Sequence, residues 1–352
     1  MSLVVQENVP LAELTTLKIG GKARFFLSAK TENEIIKALK FTEKNRLEIF
    51  ILGGGSNVLI ADEGFDGLVL QIALKGVSIF QEKDQTVYVT AQAGEDWDEF
   101  VAFCVGKNLA GVECLSGIPG FVGGTPVQNV GAYGQEVSET IVLVRVFDRQ
   151  TKTIKELTNT DCGFSYRTSI FNSTDKNRYI VFAVTYALQF GGEPKIVYAD
   201  LKRYFAGGKP NLKETRQAVC EIRAAKAMLV RQGGADAQSA GSFFKNPIVS
   251  AEKFAEIEKK AKNLHIENVP QYKVDEQNVK IPAAWLIENA GFQKGFTKGN
   301  VGLSTRHTLA LTNRGSATAG EILDLMSEIQ AKVYKIFGVS LKPEPVFVGF
   351  EK

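Results

Sequence analysis

The chain has 352 residues, and 44% of them are hydrophobic, so it is long enough for two or three domains with sizeable cores. Its 42 basic and 39 acidic residues are interspersed and leave a formal net charge of +3, which argues against a nucleic-acid or membrane surface. Residues 1–8 lack a basic segment followed by a long apolar stretch, and no run of about 18 apolar residues occurs elsewhere, so we expect a cytoplasmic protein.

The positions of the cysteines and histidines argue against several kinds of functional site. The four cysteines are widely spaced, without a CxxC pair, at positions 104, 114, 162 and 220. This spacing argues against a metal site and against a disulfide framework, and it favours reduced structural thiols. His265 and His307 have no evident carboxylate partner and no GxSxG motif accompanies them, so a Ser-His-Asp hydrolase is not expected.

The first third of the chain alternates helix and strand patterns. Thr31 and Glu34 form a capping box before an amphipathic helix, and the apolar run at 49–52 predicts a buried strand. That strand ends abruptly in the glycine-rich turn Gly53-Gly54-Gly55-Ser56-Asn57. Further strands are predicted at 68–72 and 87–91.

A second glycine-rich segment spans 116–134 and is too long for an ordinary linker. Strands are predicted after it at 141–147 and 179–188, followed by a loop with Tyr198 that glycines bracket on both sides. The small and polar residues at 226–241 predict a domain boundary. The last third carries three helical patterns, the third with a capping box, and a short terminal strand, at 251–264, 283–290, 318–337 and 346–350.

The two glycine-rich segments favour a phosphate-bearing ligand such as a dinucleotide, because glycine lets backbone N–H groups approach phosphate oxygens closely. The first segment lacks the Lys-Ser/Thr end of a Walker loop, and no GxGxxG spacing occurs in the chain, which weakens kinase and Rossmann interpretations. The alternative is that these glycines only form tight turns.

Three side chains stand out for acid-base or charge chemistry. Arg167 lies in an aromatic, otherwise uncharged run, where a guanidinium can bind a carboxylate through two hydrogen bonds; alternatively it is a surface Arg that covers an aromatic ring. Glu344 lies between two prolines that fix its backbone, or is a solvated turn residue. Ser242 and Lys245 form the S-x-x-K pair of penicillin-recognising acylases, but neither the S-D-N nor the K-T-G partner motif is present.

Taken together, these motifs resemble those of the UDP-N-acetylenolpyruvoylglucosamine reductase family, in its longer form with a tyrosine loop. The resemblance spans nearly the whole chain and is carried, in the family's order, by Leu52–Leu59, Ile118–Gly134, Phe164–Arg167, Gly241–Pro247 and Pro343–Val346. It implies an α+β fold, with a two-part FAD-binding region of the vanillyl-alcohol-oxidase type and then a smaller α+β substrate-binding domain. The implied boundaries are 1–73 and 74–226 for the FAD-binding subdomains, the second including the Tyr198 loop, and 227–352 for the substrate-binding domain.

The resemblance also implies a role for individual residues. The matched catalytic residues are Arg167, Ser242 and Glu344. The matched substrate-binding residues are Tyr198, Lys226, Asn246 and Asn289, with Arg223 and Lys245 as further positive charge for a pyrophosphate. The matched contacts to noncovalent FAD are Gly53, Gly54, Gly55, Ser56, Asn57, Gly120, Gly123, Gly124, Gln128, Asn129, Gly131, Ala132 and Tyr166.

The implied reaction is reduction of UDP-N-acetylenolpyruvoylglucosamine to UDP-N-acetylmuramate, a peptidoglycan precursor, by a monomer that uses NADPH to reduce its FAD. Hydride delivery to C3 of the enolpyruvyl group would leave charge on the substrate carboxylate, where Arg167 and Glu344 can stabilise it. The resulting carbanion at C2 is a strong base, so a preorganised Ser242 hydroxyl suffices as the proton donor.

Three alternatives stay open. One is another oxidoreductase of the same FAD-binding fold, such as a sugar or lactone oxidase; members with a His-linked flavin are disfavoured because residues 1–200 contain no histidine. The second is a serine acyltransferase that uses Ser242 and Lys245. The third is a sugar-nucleotide binding module without turnover, which the presence of all three catalytic residue types disfavours.

Overall fold

The computed structural model describes residues 3–81, 85–229 and 236–350. In this part of the chain the α-helices are α1 (Glu32–Asn45), α2 (Trp97–Gly106), α3 (Ala199–Phe205), α4 (Leu212–Ala225), α5 (Ala251–Asn263), α6 (Ala283–Asn289) and α7 (Ala319–Phe337). Short 3-10 helices occur at Ala12–Leu14, Glu113–Leu115, Val122–Gly124, Val137–Glu139 and Ile170–Asn172. No helix of the described residues is long and apolar enough to cross a membrane.

The strands of the described residues are β1 (Gln6–Pro10), β2 (Lys22–Ala29), β3 (Glu48–Leu52), β4 (Val58–Ile60), β5 (Phe65–Ile72), β6 (Val77–Gln81), β7 (Thr86–Gln92), β8 (Leu109–Ala110), β9 (Gly131–Ala132), β10 (Gln135–Glu136), β11 (Ile141–Asp148), β12 (Thr153–Thr158), β13 (Tyr179–Phe190), β14 (Ile248–Ser250), β15 (Tyr272–Lys273), β16 (Asn278–Lys280), β17 (Thr297–Lys298), β18 (Val301–Leu303), β19 (Leu311–Asn313) and β20 (Val346–Val348).

Both predicted capping boxes are confirmed. Before α1, the Thr31 hydroxyl accepts a hydrogen bond from the backbone N–H of Glu34 at 3.2 Å, and the Glu34 carboxylate accepts one from the backbone N–H of Thr31. Thr318 and Glu321 repeat this arrangement before α7. These reciprocal bonds satisfy N–H groups that a helix start leaves without partners, so they fix where each helix begins.

The chain divides into two compact units. The first comprises the described residues of Met1–Val9, Ala23–Gly55 and Asp66–Ala225. It contains a four-stranded sheet in the order β1-β2-β5-β3 and a six-stranded sheet in which the path β12-β11-β13-β7-β6 is joined by β8 pairing with β13. Its core includes Val89, Phe100 and Phe182, which are at most 2% exposed.

The second unit comprises the described residues of Pro10–Lys22, Ser56–Phe65 and Lys226–Lys352. It contains two three-stranded sheets, β14-β16-β15 and β17-β18-β19, and the parallel pair of β20 with β4. The face of α7 that packs into its core repeats every three or four residues, as expected of an amphipathic helix, through Ile322, Leu325, Ile329, Val333 and Phe337.

The other strands and helices that the sequence predicts are also present. Each predicted boundary lies within three residues of the observed one, for example 68–72 against Phe65–Ile72 and 179–188 against Tyr179–Phe190. The predicted domain boundary at 226–241 lies partly outside the described residues, because 230–235 are not among them.

Candidate active site

The first glycine-rich segment begins where β3 ends. β3 pairs in parallel with β5, and its last residue, Leu52, is 1% exposed, so Gly53–Gly55 follow the carboxyl end of a buried strand. A Cβ atom on Gly54 would lie 2.7 Å from the Cα atom of Gly120. The two glycine-rich segments therefore meet backbone to backbone within the first unit, as one ligand shared between them requires.

Neither steric crowding nor backbone conformation explains why positions 53 and 124 are glycine. A Cβ atom at either position would meet nothing within 4 Å, and neither residue has a positive φ. Exposed backbone without side chains lets a phosphate-bearing or planar ligand approach closely. These two residues, with the Gly54–Gly120 contact, fit a dinucleotide cofactor such as FAD.

The second glycine-rich segment is anchored at Gly117, which has a φ of 71°. Asp98 of α2 accepts a hydrogen bond from the Gly117 N–H at 2.6 Å and forms a bidentate ion pair with Arg216 of α4 at 2.5 and 3.0 Å. Arg223, also on α4, is 7% exposed, and its Nε donates to the Gly117 carbonyl at 3.1 Å. Arg223 thus holds this glycine, and its further role as positive charge for a pyrophosphate stays a prediction.

The middle of this segment runs along residues 93–97. The Gly120 carbonyl accepts from the backbone N–H of Trp97 at 3.0 Å, and the N–H of Gly123 donates to the Ala93 carbonyl at 2.9 Å. A Cβ atom on Gly123 would lie 2.6 Å from the Cβ atom of Ala93. Gly123 is thus a glycine because the neighbouring backbone is too close for a side chain.

Asn129 organises the end of the segment. Its side chain is buried and donates to the Glu136 carboxylate at 2.7 Å and to the Ser165 carbonyl at 3.2 Å, while its Oδ1 accepts from the N–H of Ser138 at 3.1 Å. The half-buried Gln128 precedes it, and Gly131 and Ala132 follow as β9, which pairs with β10. The Asn129 side chain therefore shapes the loop that carries these other predicted cofactor contacts.

Tyr166 and Arg167 are the central residues of a tight turn. The backbone groups of Ser165 and Thr168 exchange two hydrogen bonds across it, at 2.9 and 3.0 Å. Arg167 has a φ of 53°, a conformation in which a non-glycine residue is strained. Its Nη2 donates to the Gly131 carbonyl at 2.9 Å, and its guanidinium lies 5.6 Å from the centre of the Tyr166 ring. The turn thus ties the predicted catalytic arginine to the second glycine-rich segment.

Tyr198 immediately precedes α3 and is 38% exposed. Its ring packs edge-on against Tyr133, with the ring centres 5.5 Å apart. Burial raises the pKa of Tyr133 to about 12. The Tyr198 loop therefore rests on an uncharged tyrosine within the first unit.

Glu113 is a buried carboxylate that the sequence analysis does not single out. It accepts hydrogen bonds from the backbone N–H groups of Lys195 at 3.0 Å and Gly111 at 2.7 Å, and from the Gln135 side chain at 3.2 Å. It therefore joins the start of the Tyr198 loop to the β9–β10 hairpin. Because its partners lie as far as 82 residues away, no local pattern could have revealed this role.

In the second unit, the segments of Ser242 and Glu344 run side by side. Phe244 forms an antiparallel bridge with Pro343, and the backbone N–H of Glu344 donates to the Phe243 carbonyl at 2.8 Å. Ser242 and Glu344 are half-buried. The Phe243 and Phe244 rings are at most 1% exposed and pack edge-on, so a buried aromatic pair directly follows Ser242. The fold thus joins two of the predicted catalytic residues; the third, Arg167, belongs to the first unit.

Asn57 lies against the Glu344 segment. Its carbonyl accepts from the N–H of Val346 at 3.0 Å, and its side chain donates to the Glu344 carbonyl at 3.3 Å. Ser56, just before it, accepts at its carbonyl from the Thr16 hydroxyl at 3.5 Å. Besides its predicted contact with the cofactor, Asn57 therefore helps to fix the backbone of Glu344.

The predicted substrate-binding asparagines lie at opposite ends of α6. Asn246 accepts at Oδ1 from the N–H of Ala283, the first residue of the helix, at 2.8 Å. Asn289, the last residue, donates from Nδ2 to the Trp285 carbonyl at 2.8 Å. Lys226, directly after α4, and Lys245, directly before Asn246, are half-buried. α6 therefore sets the separation of the two asparagines.

All four cysteines are free thiols. Burial raises the pKa of Cys162 to about 12 and raises those of Cys104 and Cys114 further above their usual value. Since the thiolate is the reactive form, these three residues are inert at neutral pH, in agreement with their predicted structural role.

Comparison with known proteins covers the whole chain. A family described as the C-terminal domain of UDP-N-acetylenolpyruvoylglucosamine reductase matches residues 233–348, and an FAD-binding domain family matches residues 23–157. The UDP-N-acetylenolpyruvoylglucosamine reductase of Thermobifida fusca is 45% identical over 355 residues, with 99% of each chain covered. That of Saccharopolyspora erythraea is 44% identical over 346 residues, with 96% of this chain and 94% of the relative covered.

A solved structure shows the same fold. The UDP-N-acetylenolpyruvylglucosamine reductase of Thermus caldophilus superimposes with a TM-score of 0.64 over 99% of both chains, at 24% sequence identity. Together with the two matched families, this confirms the predicted fold class, an α+β protein with an FAD-binding region followed by a further domain.

Proposed function

Because the chain belongs to the UDP-N-acetylenolpyruvoylglucosamine reductase family and is an oxidoreductase with an FAD-binding domain, we propose that it reduces UDP-N-acetylenolpyruvoylglucosamine to UDP-N-acetylmuramate with NADPH as co-substrate. The observation that carries this proposal is the backbone pairing of the Ser242 segment with the Glu344 segment. It places the backbones of Ser242 and Glu344 side by side, and we infer that their hydroxyl and carboxyl groups serve one site, as a proton transfer to carbon beside a carboxylate requires.

FAD, when bound, supplies the hydride that reaches C3 of the enolpyruvyl group. The glycine-rich segments of the first unit support its binding, because they meet at Gly54 and Gly120 and leave the backbone open at Gly53 and Gly124. The residues that we propose to hold it are Gly53, Gly54, Gly55, Ser56, Asn57, Gly120, Gly123, Gly124, Gln128, Asn129, Gly131, Ala132 and Tyr166.

Ser242 donates the proton. Addition of a hydride to C3 would break only the π bond between C2 and C3 and leave its electron pair on C2, beside the carboxylate. A C–H bond then forms at C2 as the Ser242 O–H bond breaks, and the serine regains a proton from water. A positioned acid of this kind typically contributes about a hundredfold to ten-thousandfold in rate.

Arg167 stabilises the negative charge that spreads from C2 onto the substrate carboxylate. A planar guanidinium can donate two parallel hydrogen bonds to that group, and the tight turn at 165–168 together with the bond to Gly131 preorganises it. Glu344 contributes to the same charge stabilisation, either as a protonated donor or as an orienting partner.

Four residues are proposed to bind the sugar nucleotide: Tyr198, Lys226, Asn246 and Asn289. Asn246 uses its Oδ1 on α6, so its Nδ2 is the group suited to a substrate oxygen. Asn289 uses its Nδ2 within α6, so its Oδ1 suits an N–H such as the uracil imide. Lys226, together with Lys245, supplies positive charge for the pyrophosphate.

The visible spectrum and two half-reactions test the proposal. The purified protein is expected to be yellow, to bleach anaerobically with NADPH, and to recover its colour on addition of UDP-N-acetylenolpyruvoylglucosamine. Recovery with oxygen but not with the enolpyruvyl substrate would indicate an oxidase of the same fold. A colourless protein that does not bind added FAD would overturn both the reductase and the oxidase assignments and would favour the acyltransferase alternative. Gel filtration and cell fractionation test the further expectations of a monomer in the cytoplasm.

A further inference from the structure

His307 closes a tight turn in the second unit. Its ring Nδ1 accepts a hydrogen bond from the backbone N–H of Leu309 at 3.0 Å, and its carbonyl accepts one from the N–H of Ala310 at 3.2 Å. Thr308, between them, is fully buried and donates from its hydroxyl to Glu288 at 3.1 Å. The imidazole therefore sets the direction of the Leu309 peptide groups.

The Leu309 turn is connected to the predicted proton donor. The Leu309 carbonyl accepts from the backbone N–H of Phe243 at 2.7 Å, and the Phe243 carbonyl accepts from the N–H of Glu344 at 2.8 Å. Phe243 is bonded directly to Ser242. A continuous hydrogen-bonded path thus runs from the His307 ring to the backbone of both Ser242 and Glu344.

On the other side of Ser242 the chain is anchored at Ser239, three residues earlier, whose carbonyl accepts from the Thr16 hydroxyl at 2.7 Å and which bridges Thr312. Gly241 precedes Ser242 with a φ of 71°, and a Cβ atom there would meet nothing within 4 Å. The Gly241 N–H donates to the Ser239 hydroxyl at a long 3.3 Å. Because glycine permits many backbone conformations, the Ser239 anchor restrains Ser242 less directly than the bonds of Phe243, the adjacent residue.

The surroundings of His307 keep its ring uncharged. Burial, and then the nearby Lys226 and Lys294, lower the pKa of His307 to about 4. A ring whose Nδ1 accepts a hydrogen bond must carry its proton on Nε2 when neutral, and protonation of Nδ1 would remove that acceptor. Burial first, and then the two lysines, therefore favour the neutral form of His307, which can accept the hydrogen bond from Leu309.

We propose that His307 is a positioning residue for the proton-transfer step: as a neutral acceptor at Nδ1 it fixes the Leu309–Phe243–Glu344 backbone path and thereby the Ser242 hydroxyl. The inference rests on the proposed function, since it assigns His307 to the half-reaction in which the enolpyruvyl substrate reoxidises the flavin. It places no contact between His307 and the substrate.

Two substitutions at His307 test whether the hydrogen-bond acceptor atom, and not the rest of the ring, is required. In His307→Asn the Oδ1 atom is as many bonds from the backbone as Nδ1 of histidine, so it can accept from Leu309. In His307→Gln an additional methylene displaces the acceptor. His265→Asn is the matched control, because His265 is exposed and has a φ of 60° that asparagine tolerates.

Stopped-flow absorbance of the FAD-loaded variants measures both half-reactions. We expect flavin reduction by NADPH to be unchanged in all of them, and reoxidation by the enolpyruvyl substrate to slow about tenfold to a hundredfold in His307→Gln, the effect of a misplaced reacting group. His307→Asn should recover to near the wild-type rate. Equal slowing of reoxidation in both variants, or none in His307→Gln, would overturn the inference.

The same measurements distinguish this inference from the proposed function. If the wild-type flavin is not reoxidised by the enolpyruvyl substrate, the proposed function fails. If the wild type is reoxidised and His307→Gln matches it, only the role of His307 fails. Should His307→Gln unfold, His307→Ala and His307→Asn are compared in its place, and equal reoxidation rates in these two variants would contradict the positioning role.

Discussion

At the scale of single residues, Arg167 combines a proposed catalytic guanidinium with a strained backbone. The second central position of such a turn, with φ at 53°, is usually occupied by glycine. We predict that Arg167→Gly leaves the melting temperature nearly unchanged. The substitution relieves about 1–2 kcal/mol of backbone strain. It also removes the hydrogen bond to Gly131 and gives the unfolded chain more freedom, and these two losses offset the gain. Reoxidation by substrate should fall about a hundredfold to a thousandfold.

Arg167→Lys is the companion variant, since it retains the charge. Lysine cannot form the bidentate fork, so we expect a loss of turnover close to that of Arg167→Gly. Thermal unfolding and substrate-driven reoxidation are compared in the two variants. Near-normal turnover in Arg167→Lys would show that charge alone suffices and would remove the carboxylate fork from the mechanism.

Ser242→Ala tests the proton donor directly. The backbone bonds of Phe243 do not involve the serine side chain, so the pairing with the Glu344 segment should persist. We predict that flavin reduction by NADPH stays normal while reoxidation by the enolpyruvyl substrate falls about a hundredfold to ten-thousandfold. Comparable losses in both half-reactions would assign Ser242 a structural role instead.

His307 also predicts a pH dependence of stability. Its pKa is lowered from 6.5 to about 4 by burial and by Lys226 and Lys294, so the unfolded chain binds the proton more readily. The contribution of His307 is therefore complete above pH 6.5 and is lost as the pH falls towards 4, by up to about 3 kcal/mol. Urea unfolding at several pH values should show a shallower decline in His307→Asn than in the wild type, whereas His265→Asn should keep the wild-type decline.

At the scale of elements, the glycine-rich turn after β3 offers a matched pair of substitutions. Gly54→Ala would place Cβ 2.7 Å from Gly120, whereas Gly53→Ala would meet nothing within 4 Å. We predict that Gly54→Ala lowers the melting temperature of the FAD-free protein and that Gly53→Ala does not. Gly53→Ala should instead weaken FAD binding in a fluorescence titration; unchanged FAD affinity in that variant would contradict a cofactor contact at Gly53.

The elements also show what local sequence patterns can predict. α1 and α7 combine an N-terminal capping box with an apolar face, so both signals agree and the sequence is sufficient. α2 escapes prediction because Ala102 and Phe103 add apolar side chains outside its buried face of Trp97, Phe100, Val101 and Cys104, which weakens the periodic contrast. The anchors of the second glycine-rich segment, Asp98 and Arg216, are equally hidden, since 118 residues separate them.

At the scale of the whole molecule, sequence order and spatial grouping differ. Pro10–Lys22 and Ser56–Phe65 belong to the second unit, although residues assigned to the first unit flank them on both sides. Leu17, Ile19 and Leu59 are buried in that unit's core with residues of α7. Such packing depends on contacts between segments about 260–320 residues apart, which motif order cannot reveal. The motif order nevertheless sufficed to identify the family.

This grouping leads to a prediction for the two ligands. Most proposed FAD contacts lie in the first unit, whereas Lys226, Asn246 and Asn289 of the proposed substrate site lie in the second. A ligand that binds only the native state slows amide exchange where it contacts the chain. In hydrogen-exchange mass spectrometry, FAD should protect 53–57 and 117–134, and added UDP-N-acetylmuramate should extend protection to 242–246 and 283–289. Gly53→Ala at subsaturating FAD should reduce the first effect, and a product that protects only the first unit would contradict the proposed substrate contacts on α6.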